Sequence, residues 1–144
     1  MQEEMLTEAI IGCAMTVHSA LGPGFLESVY ENALAHELRK VGLAVERQVQ
    51  IRVTYDSVIV GDFDADMYVE GRVLVEIKAV QMLVRAHEVQ LVNYLTATGV
   101  EVGLLLNFGA SSLQFKRKHR TYRPKAAKTA KIDESGQDSQ DSQD

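Results

Sequence analysis

Gly61-Asp-Phe-Asp-Ala-Asp-Met-Tyr-Val-Glu-Gly-Arg-Val-Leu-Val-Glu-Ile-Lys-Ala79 reads as a β-hairpin with one apolar and one charged face. Odd positions carry Phe63, Ala65, Met67, Val69, Val73, Val75, Ile77 and Ala79. Even positions carry Asp62, Asp64, Asp66, Tyr68 and Glu70 on the first arm, then Arg72, Leu74, Glu76 and Lys78 on the second. Strand side chains alternate faces with period two, so the two charged rows coincide only if the loop holds an odd number of residues. Gly71 suits the left-handed residue that closes a three-residue loop, Val69-Glu70-Gly71, pairing Tyr68 with Arg72. A two-residue loop, Glu70-Gly71, puts Asp66 and Glu76 on opposite faces.

Outward from this hairpin the periodicity changes. Leu6, Ile10, Cys13, Val17 and Leu21 recur at helical spacing and predict an amphipathic helix over 4–21. Gly22-Pro-Gly24 breaks it, because proline and glycine favour a turn here. A second helix is expected from about Leu26 to Val41, stopped by Gly42. From Val45 to Val60 the pattern alternates and is rich in valine and isoleucine, with a turn at Asp56-Ser57. Helical spacing returns over roughly Val84 to Thr98. Val102-Gly-Leu-Leu-Leu-Asn107 is then continuously apolar, as in a strand covered on both faces. A strand, a helix and a buried strand imply a βαβ crossover beside an antiparallel meander. The expected fold is α/β, a mixed central sheet flanked by helices in the order α-α-β-β-β-α-β, with a further edge strand near Leu113–Phe115.

Composition bounds the function. With 144 residues, 46% of them hydrophobic, the chain fits one domain with its own core. Neither a membrane span nor a signal peptide is expected, since the longest uncharged run is broken by Gly-Pro-Gly and the chain opens Met-Gln-Glu-Glu. A single cysteine, Cys13, lies among apolar neighbours and suits a reducing, cytoplasmic location. The formal net charge of −5 conceals an acidic body over 1–115, a basic run over 116–131 and an acidic terminus. Such a balance is unlike a typical nucleic-acid-binding domain, so a polyanion must approach through local positive charge or bound metal.

A shared charged face would make Asp64, Asp66 and Glu76 close neighbours, and like charges so placed destabilise a hairpin. A hard cation resolves this, since Mg²⁺ takes oxygen ligands from one or two carboxylates plus water and substrate phosphate. Such a metal can polarise a phosphoryl oxygen, and Lys78 on the same row can stabilise developing charge. The ordinary alternative is a solvated acidic sheet face with Lys78 as counter-charge. Two helical segments bear on the choice. Glu27 and Tyr30 are three apart at the start of the second helix, where an acid also offsets the helix dipole. His87, Gln90 and Tyr94 can share one face of the third, although His87 alone reads as an ordinary polar helix residue.

Together these residues carry a resemblance. Asp66 followed by Glu76-Ile-Lys78 resembles the core signature of the PD-(D/E)XK nuclease superfamily. Gln90-Leu-Val-Asn-Tyr94 is similar to the QxxxY motif of its RecB-like members, and Gly24-Phe-Leu-Glu27-Ser-Val-Tyr30 to the motif of the prokaryotic GxxExxY family. The resemblance spans about residues 5–119. It implies a restriction-endonuclease-like core with Asp66 and Glu76 as Mg²⁺ ligands, or Mn²⁺ in its place, and Lys78 as the catalytic lysine. Glu27 matches the helical acid that some members use to hold metal-bound water or a second metal. Gln90, Tyr94 and, through its motif, Tyr30 are the expected substrate contacts. Ala65 stands where the superfamily name has proline, and Asp64 competes with Asp66 as a ligand.

The resulting expectation is a nuclease-like domain over 1–119, then a basic and acidic low-complexity tail, unstructured, over 120–144. The function implied is Mg²⁺-dependent hydrolysis of DNA or RNA. The rival is a non-catalytic nucleic-acid-binding or assembly module that keeps the fold. Lys116, Arg117, Lys118 and Arg120 are candidate phosphate contacts, with a solvated basic strap as the alternative. Assembly into a homo-oligomer is left open.

Overall fold

The computed structural model describes residues 2–122 and 130–133. Two helices, α1 (Glu3–Leu21) and α2 (Glu27–Lys40), precede a meander of β1 (Val45–Tyr55), β2 (Val58–Val69) and β3 (Val73–Lys78). The helix α3 (Arg85–Thr98) then leads into β4 (Val102–Asn107) and β5 (Gln114–His119), and β6 (Ala130–Asp133) follows. The sheet order is β5-β4-β3-β2-β1-β6, with β3 and β4 parallel and the other pairs antiparallel. This is the expected mixed α/β architecture. Asp56 and Ser57 form the two-residue turn between β1 and β2, both left-handed at φ 55° and 66°, as a primed hairpin turn requires. β2 is one strand throughout.

Helices cover both faces. On one, α1 and α2 lay Leu6, Ile10, Val17, Leu34 and Leu38 over Met67, Val75, Leu104 and Leu106. On the other, Leu91 and Leu95 of α3 cover Leu74 and Leu105. Their packing is tight over Gly103, where an added Cβ would come within 3.0–3.2 Å of the Leu91 and Leu95 methyls, which would have to give by a few tenths of an ångström.

Three sequence expectations change. The β2–β3 loop is odd, but it is Glu70-Gly71-Arg72, with Val69 paired to Val73, and not Val69-Glu70-Gly71. Val69 and Val73 are both fully buried, so placing Val69 in a turn would expose a core side chain. Glu70 holds the loop where it is: its N–H donates to the Ala44 carbonyl at 2.8 Å and its carboxylate accepts the Ala44 N–H at 2.6 Å.

Second, the apolar row does not stay on one face. Met67 and Val69 pack under α1 and α2, whereas Ala65 joins the core under α3 and Phe63 lies 5.0 Å from Tyr94 between ring centroids. In β1 the same switch separates Val45 from Val49 and Ile51. Between them Gln48 takes φ 52°, left-handed in mid-strand, which turns the following side chains over.

Third, the segment expected to be an unstructured tail is in part ordered. β6 pairs with β1 from Gln50↔Asp133 to Val53↔Ala130, and Arg120 and Tyr122 both bond to Glu101. Residues 123–129 and 134–144 lie outside the described residues. Among the described residues no helix is long and apolar enough to cross a membrane.

The end of β3 is clamped from β4. The buried Asn107 accepts the Val80 N–H and donates to the Val80 carbonyl, both at 2.9 Å, and Phe108 N–H donates to the Lys78 carbonyl at 2.9 Å. Gly109 completes the clamp, because an added Cβ there would lie 2.4–2.5 Å from the backbone of Ala79 and Val80. Backbone cannot yield as a leucine methyl can. Gly109→Ala is therefore expected to cost at least about 1–3 kcal/mol, clearly more than Gly103→Ala, in urea unfolding followed by circular dichroism; equal costs would contradict the clamp.

Candidate functional site

The site forms where the β2–β3 ladder stops. Regular pairing runs from Val69↔Val73 to Met67↔Val75, which places Asp66 level with Glu76. Here side chains take over from backbone. The Asp66 N–H donates to Glu76 Oε2 at 3.3 Å, and the Ile77 N–H donates to Asp66 Oδ2 at 2.7 Å. The one-residue displacement of the loop has a direct consequence. In the register expected from sequence Asp64 would face Glu76, and in the observed one Asp66 does.

Burial makes this pairing costly. Glu76 is only 9% exposed, and burial, reinforced by the negative charge of Asp66, pushes its carboxyl up from an ordinary 4.5 to about 8. Asp66 is also raised, first by burial and then by the charges of Glu31 and Glu27, against the favourable hydrogen bond from Ile77. Lys78 acts on Glu76 in the opposite sense. Its place two residues after Glu76 puts it on the same row of β3.

Two elements complete the surroundings. Glu27, exposed in the first turn of α2, adds its field to both carboxyls. Tyr94 on α3 is half-buried, and its hydroxyl is raised by burial and then by the charges of Glu76 and Asp66. Gln90, one turn earlier on the same helix, is exposed. Thus Glu27, Asp66, Glu76, Lys78 and Tyr94 are electrostatically coupled in one region.

Other expected residues are placed elsewhere. Asp64 is exposed and lies opposite Gln50 in β1, so it is separated from the pair by the face switch at Asp66. Tyr30 is fully buried and offers a substrate no surface. Its hydroxyl donates to the Gly22 carbonyl at 2.5 Å and accepts the Phe25 N–H at 3.1 Å, while its ring stacks on Phe108 at 4.8 Å. It ties down the turn that launches α2, so the role expected for it as a substrate contact is replaced by a structural one. His87 accepts the Val84 N–H on Nδ1 and caps α3.

The basic candidates are not a free strap either. They lie on or just beyond the edge strand β5, where Lys118 bonds to Glu88 at 2.9 Å, Arg120 to Glu101 at 2.9 Å and Arg117 to the Thr7 hydroxyl at 2.9 Å. Lys116 is exposed.

Three residues near the pair carry no motif. Glu31, buried on α2, accepts from Arg47 Nε at 3.0 Å and from Gln48 Nε2 at 3.0 and 3.2 Å. Arg47 reaches Asn32 as well. One signal was available: Glu27 and Glu31 are four apart, an arrangement of like charges that a helix tolerates poorly without cationic or polar partners.

The donor set suits a hard divalent cation. Two carboxylates, each with one oxygen engaged by a backbone N–H, lie level on neighbouring strands, Glu76 buried and Asp66 half-buried, and both are shifted against ionisation. Among the described residues no group of three or more His, Cys, Asp or Glu side chains converges as a metal-holding cluster. Mg²⁺ needs fewer, since it is commonly held by one or two carboxylates plus waters and substrate phosphates.

The raised carboxyls set the sign of a pH effect. Between 4.5 and about 8 the folded state holds a proton on Glu76 that the unfolded chain has released, so stability falls as pH rises through that window. In chelator, the melting temperature is expected to drop from pH 5 to pH 8.5, and Glu76→Gln should flatten part of that fall. A slope unchanged in the variant would contradict the assignment.

Comparison with known proteins agrees with the geometry. A family model for the PD-(D/E)XK nuclease superfamily matches residues 4–118, which takes in α1 through β5 and every residue of the carboxylate site. No curated protein and no solved structure gives a match. A match over most of the chain, with the pair of acids and the lysine on adjacent strands, leaves one family assignment: the chain belongs to the PD-(D/E)XK nuclease superfamily.

Proposed function

We propose that the protein is a metal-dependent nuclease of the GxxExxY branch that hydrolyses phosphodiester bonds in DNA or RNA with Mg²⁺, or Mn²⁺ in its place. The observation that carries this reading is the Asp66–Glu76 pair held level across β2 and β3, with Lys78 next on the same row. Asp66 and Glu76 hold the cation. When bound, such a cation polarises a phosphoryl oxygen and stabilises negative charge on it.

The remaining chemistry belongs to the chain. Lys78 supplies a fixed positive charge to the phosphate as negative charge develops, and its strand end is held by the Asn107 and Phe108 clamp. Glu27 offers an exposed carboxylate that can orient the attacking water and accept its proton. Tyr94 keeps its hydroxyl proton well above neutral pH and so remains a donor to phosphate oxygens. Gln90, matching the first residue of the QxxxY pattern, adds an amide donor. Water adds to phosphorus, one P–O bond breaks, and a proton passes to the leaving oxygen.

With single- and double-stranded DNA and RNA as substrates, cleavage is expected in Mg²⁺ or Mn²⁺ and not in chelator. Asp66→Ala, Glu76→Ala and Lys78→Ala are each expected to lower it by about 100-fold or more, with the far-ultraviolet circular dichroism of the wild type retained. Cleavage that persists in chelator, or in both acid variants, sinks the proposal.

One observation favours the second reading, a binding or assembly module without turnover. Among the described residues no three potential metal ligands converge, and the body carries fifteen acidic and seven basic residues over 1–115, a balance that repels polyanions unless metal is bound. Calorimetry with Mg²⁺ and Mn²⁺ separates the two. The nuclease reading expects binding that Asp66→Ala removes; the module reading expects none in either protein.

A further inference from the structure

The outer half of the β1–β2 hairpin runs on past the point where β3 leaves it. β2 meets β3 only from Met67 to Val69, so the residues from Val58 to Asp66 have β1 on one side and, among the described residues, no strand on the other. Asp66 stands at the root of this arm. Between Arg52 and Arg72 the chain carries no lysine or arginine, and its only charges are Asp56, Asp62, Asp64, Asp66 and Glu70. A phosphate backbone laid along the arm meets no cation. What the arm offers is apolar, since Tyr55, Val58, Ile59, Val60 and Phe63 are all exposed.

Phe63 is the member of this group nearest to Asp66 in the chain, three residues before it and so about 10 Å away along the strand. Its ring is held on two sides. The ring edge lies over Gly61, where an added Cβ would come within 3.1–3.3 Å of it, and its centroid lies 5.0 Å from that of Tyr94 at an interplanar angle of 41°. A glycine in mid-strand thus has a use here, because a side chain at that position would push the ring from its seat. Phe63 is nonetheless 37% exposed, and apolar surface left in water is unfavourable. A ring fixed against two supports and open beyond them is prepared for a flat apolar partner.

We propose that Phe63 is a base-stacking residue and that it makes the site select single-stranded nucleic acid. Aromatic side chains hold single strands in this way because every base has a π-face, whereas a duplex keeps its bases stacked on one another. Tyr94 links the platform to the chemistry. Its hydroxyl is the donor to phosphate oxygens in the reading given under the proposed function, and its ring packs against Phe63, so a nucleotide whose phosphate meets Tyr94 has its base one sugar away, beside Phe63. The place of that base next to the cleaved bond rests on that reading; stacking itself does not.

The chain contains no tryptophan, so Phe63→Trp in the full-length protein supplies a single indole reporter and keeps an aromatic face. In chelator, where the proposed reaction does not run, oligothymidylate is expected to quench its fluorescence, and an abasic deoxyribose-phosphate strand of the same length and charge is not. By fluorescence anisotropy with labelled strands, the wild type should bind the base-bearing strand about 5–150-fold more tightly than the abasic one, the range to which about 1–3 kcal/mol for a stacked base converts. Phe63→Leu still covers Gly61 and is expected to stay folded by circular dichroism. It should lose that margin and keep wild-type affinity for blunt duplex DNA. Equal affinity of the wild type for the two strands, no loss in Phe63→Leu, an equal loss for duplex, or no binding of oligothymidylate in chelator each overturns the proposal. Cleavage in Mg²⁺ keeps the two readings apart: a wild type that cuts without any base dependence loses the platform and keeps the nuclease, whereas one that stacks thymidylate and cuts nothing loses the nuclease and keeps the platform.

Discussion

Two carboxylates held level on neighbouring strands, each accepting one backbone N–H from the other's strand, set the terms for the rest of the molecule. Like charges about 4 Å apart repel by about 4 kcal/mol at an effective dielectric constant of 20. Two hydrogen bonds to charged acceptors return about 1.5–3 kcal/mol each, which meets the repulsion. They do not meet the further cost of taking Glu76 out of water and Asp66 partly so. Burial therefore wins, and both carboxyls are shifted upward. A proton on Glu76 meets the deficit in the metal-free protein; a divalent cation would meet it with two charges at once. Two surrounding devices hold the strands on which the acids sit: the Glu70–Ala44 latch on the hairpin loop and the Asn107 clamp on the end of β3.

Much of this arrangement is legible in the sequence, and the parts that are not have identifiable causes. Periodicity finds every helix within a residue or two, because each buries one continuous stripe. The odd loop follows from Gly71, but its position does not, since glycine fits either frame and the choice falls to whether Val69 or Arg72 is the cheaper residue to leave in the turn. The face switch is hidden for a different reason. Gln48 has no special preference for a left-handed backbone, so nothing local announces that alternation fails there, and a period-two reading carries Asp64 and Asp66 onto one side. Tyr30 shows the reverse error. Its spacing from Glu27 is genuine, yet a helix residue one turn inward from a surface acid points into the core, where its hydroxyl closes the Gly22–Phe25 turn.

The basic segment illustrates how composition misleads when charge is counted along the chain and not across the sheet. Lys118 and Arg120 read as a run of exposed cations, but α3 presents Glu88 to the one and the residue just before β4, Glu101, meets the other. Exposed pairs of this kind contribute about 0–1 kcal/mol, so they add little to stability. Their effect is on surface potential: Glu88 and Glu101 offset Lys118 and Arg120, leaving Lys116 and Arg117 as the exposed cations of that quartet.

The crossing of the apolar row from one face to the other also bears on how the protein opens. The inner half of the β1–β2 hairpin packs with α1 and α2 through Val45, Met67 and Val69, and its outer half packs with α3 through Val49, Ile51 and Ala65. One continuous ribbon is thus sewn through both layers, and the stitch passes through Asp66. Neither layer can loosen without tugging the ribbon, which welds two cores into a single cooperative unit. The carboxylates sit at the seam, so the geometry of the site depends on both layers being packed at once.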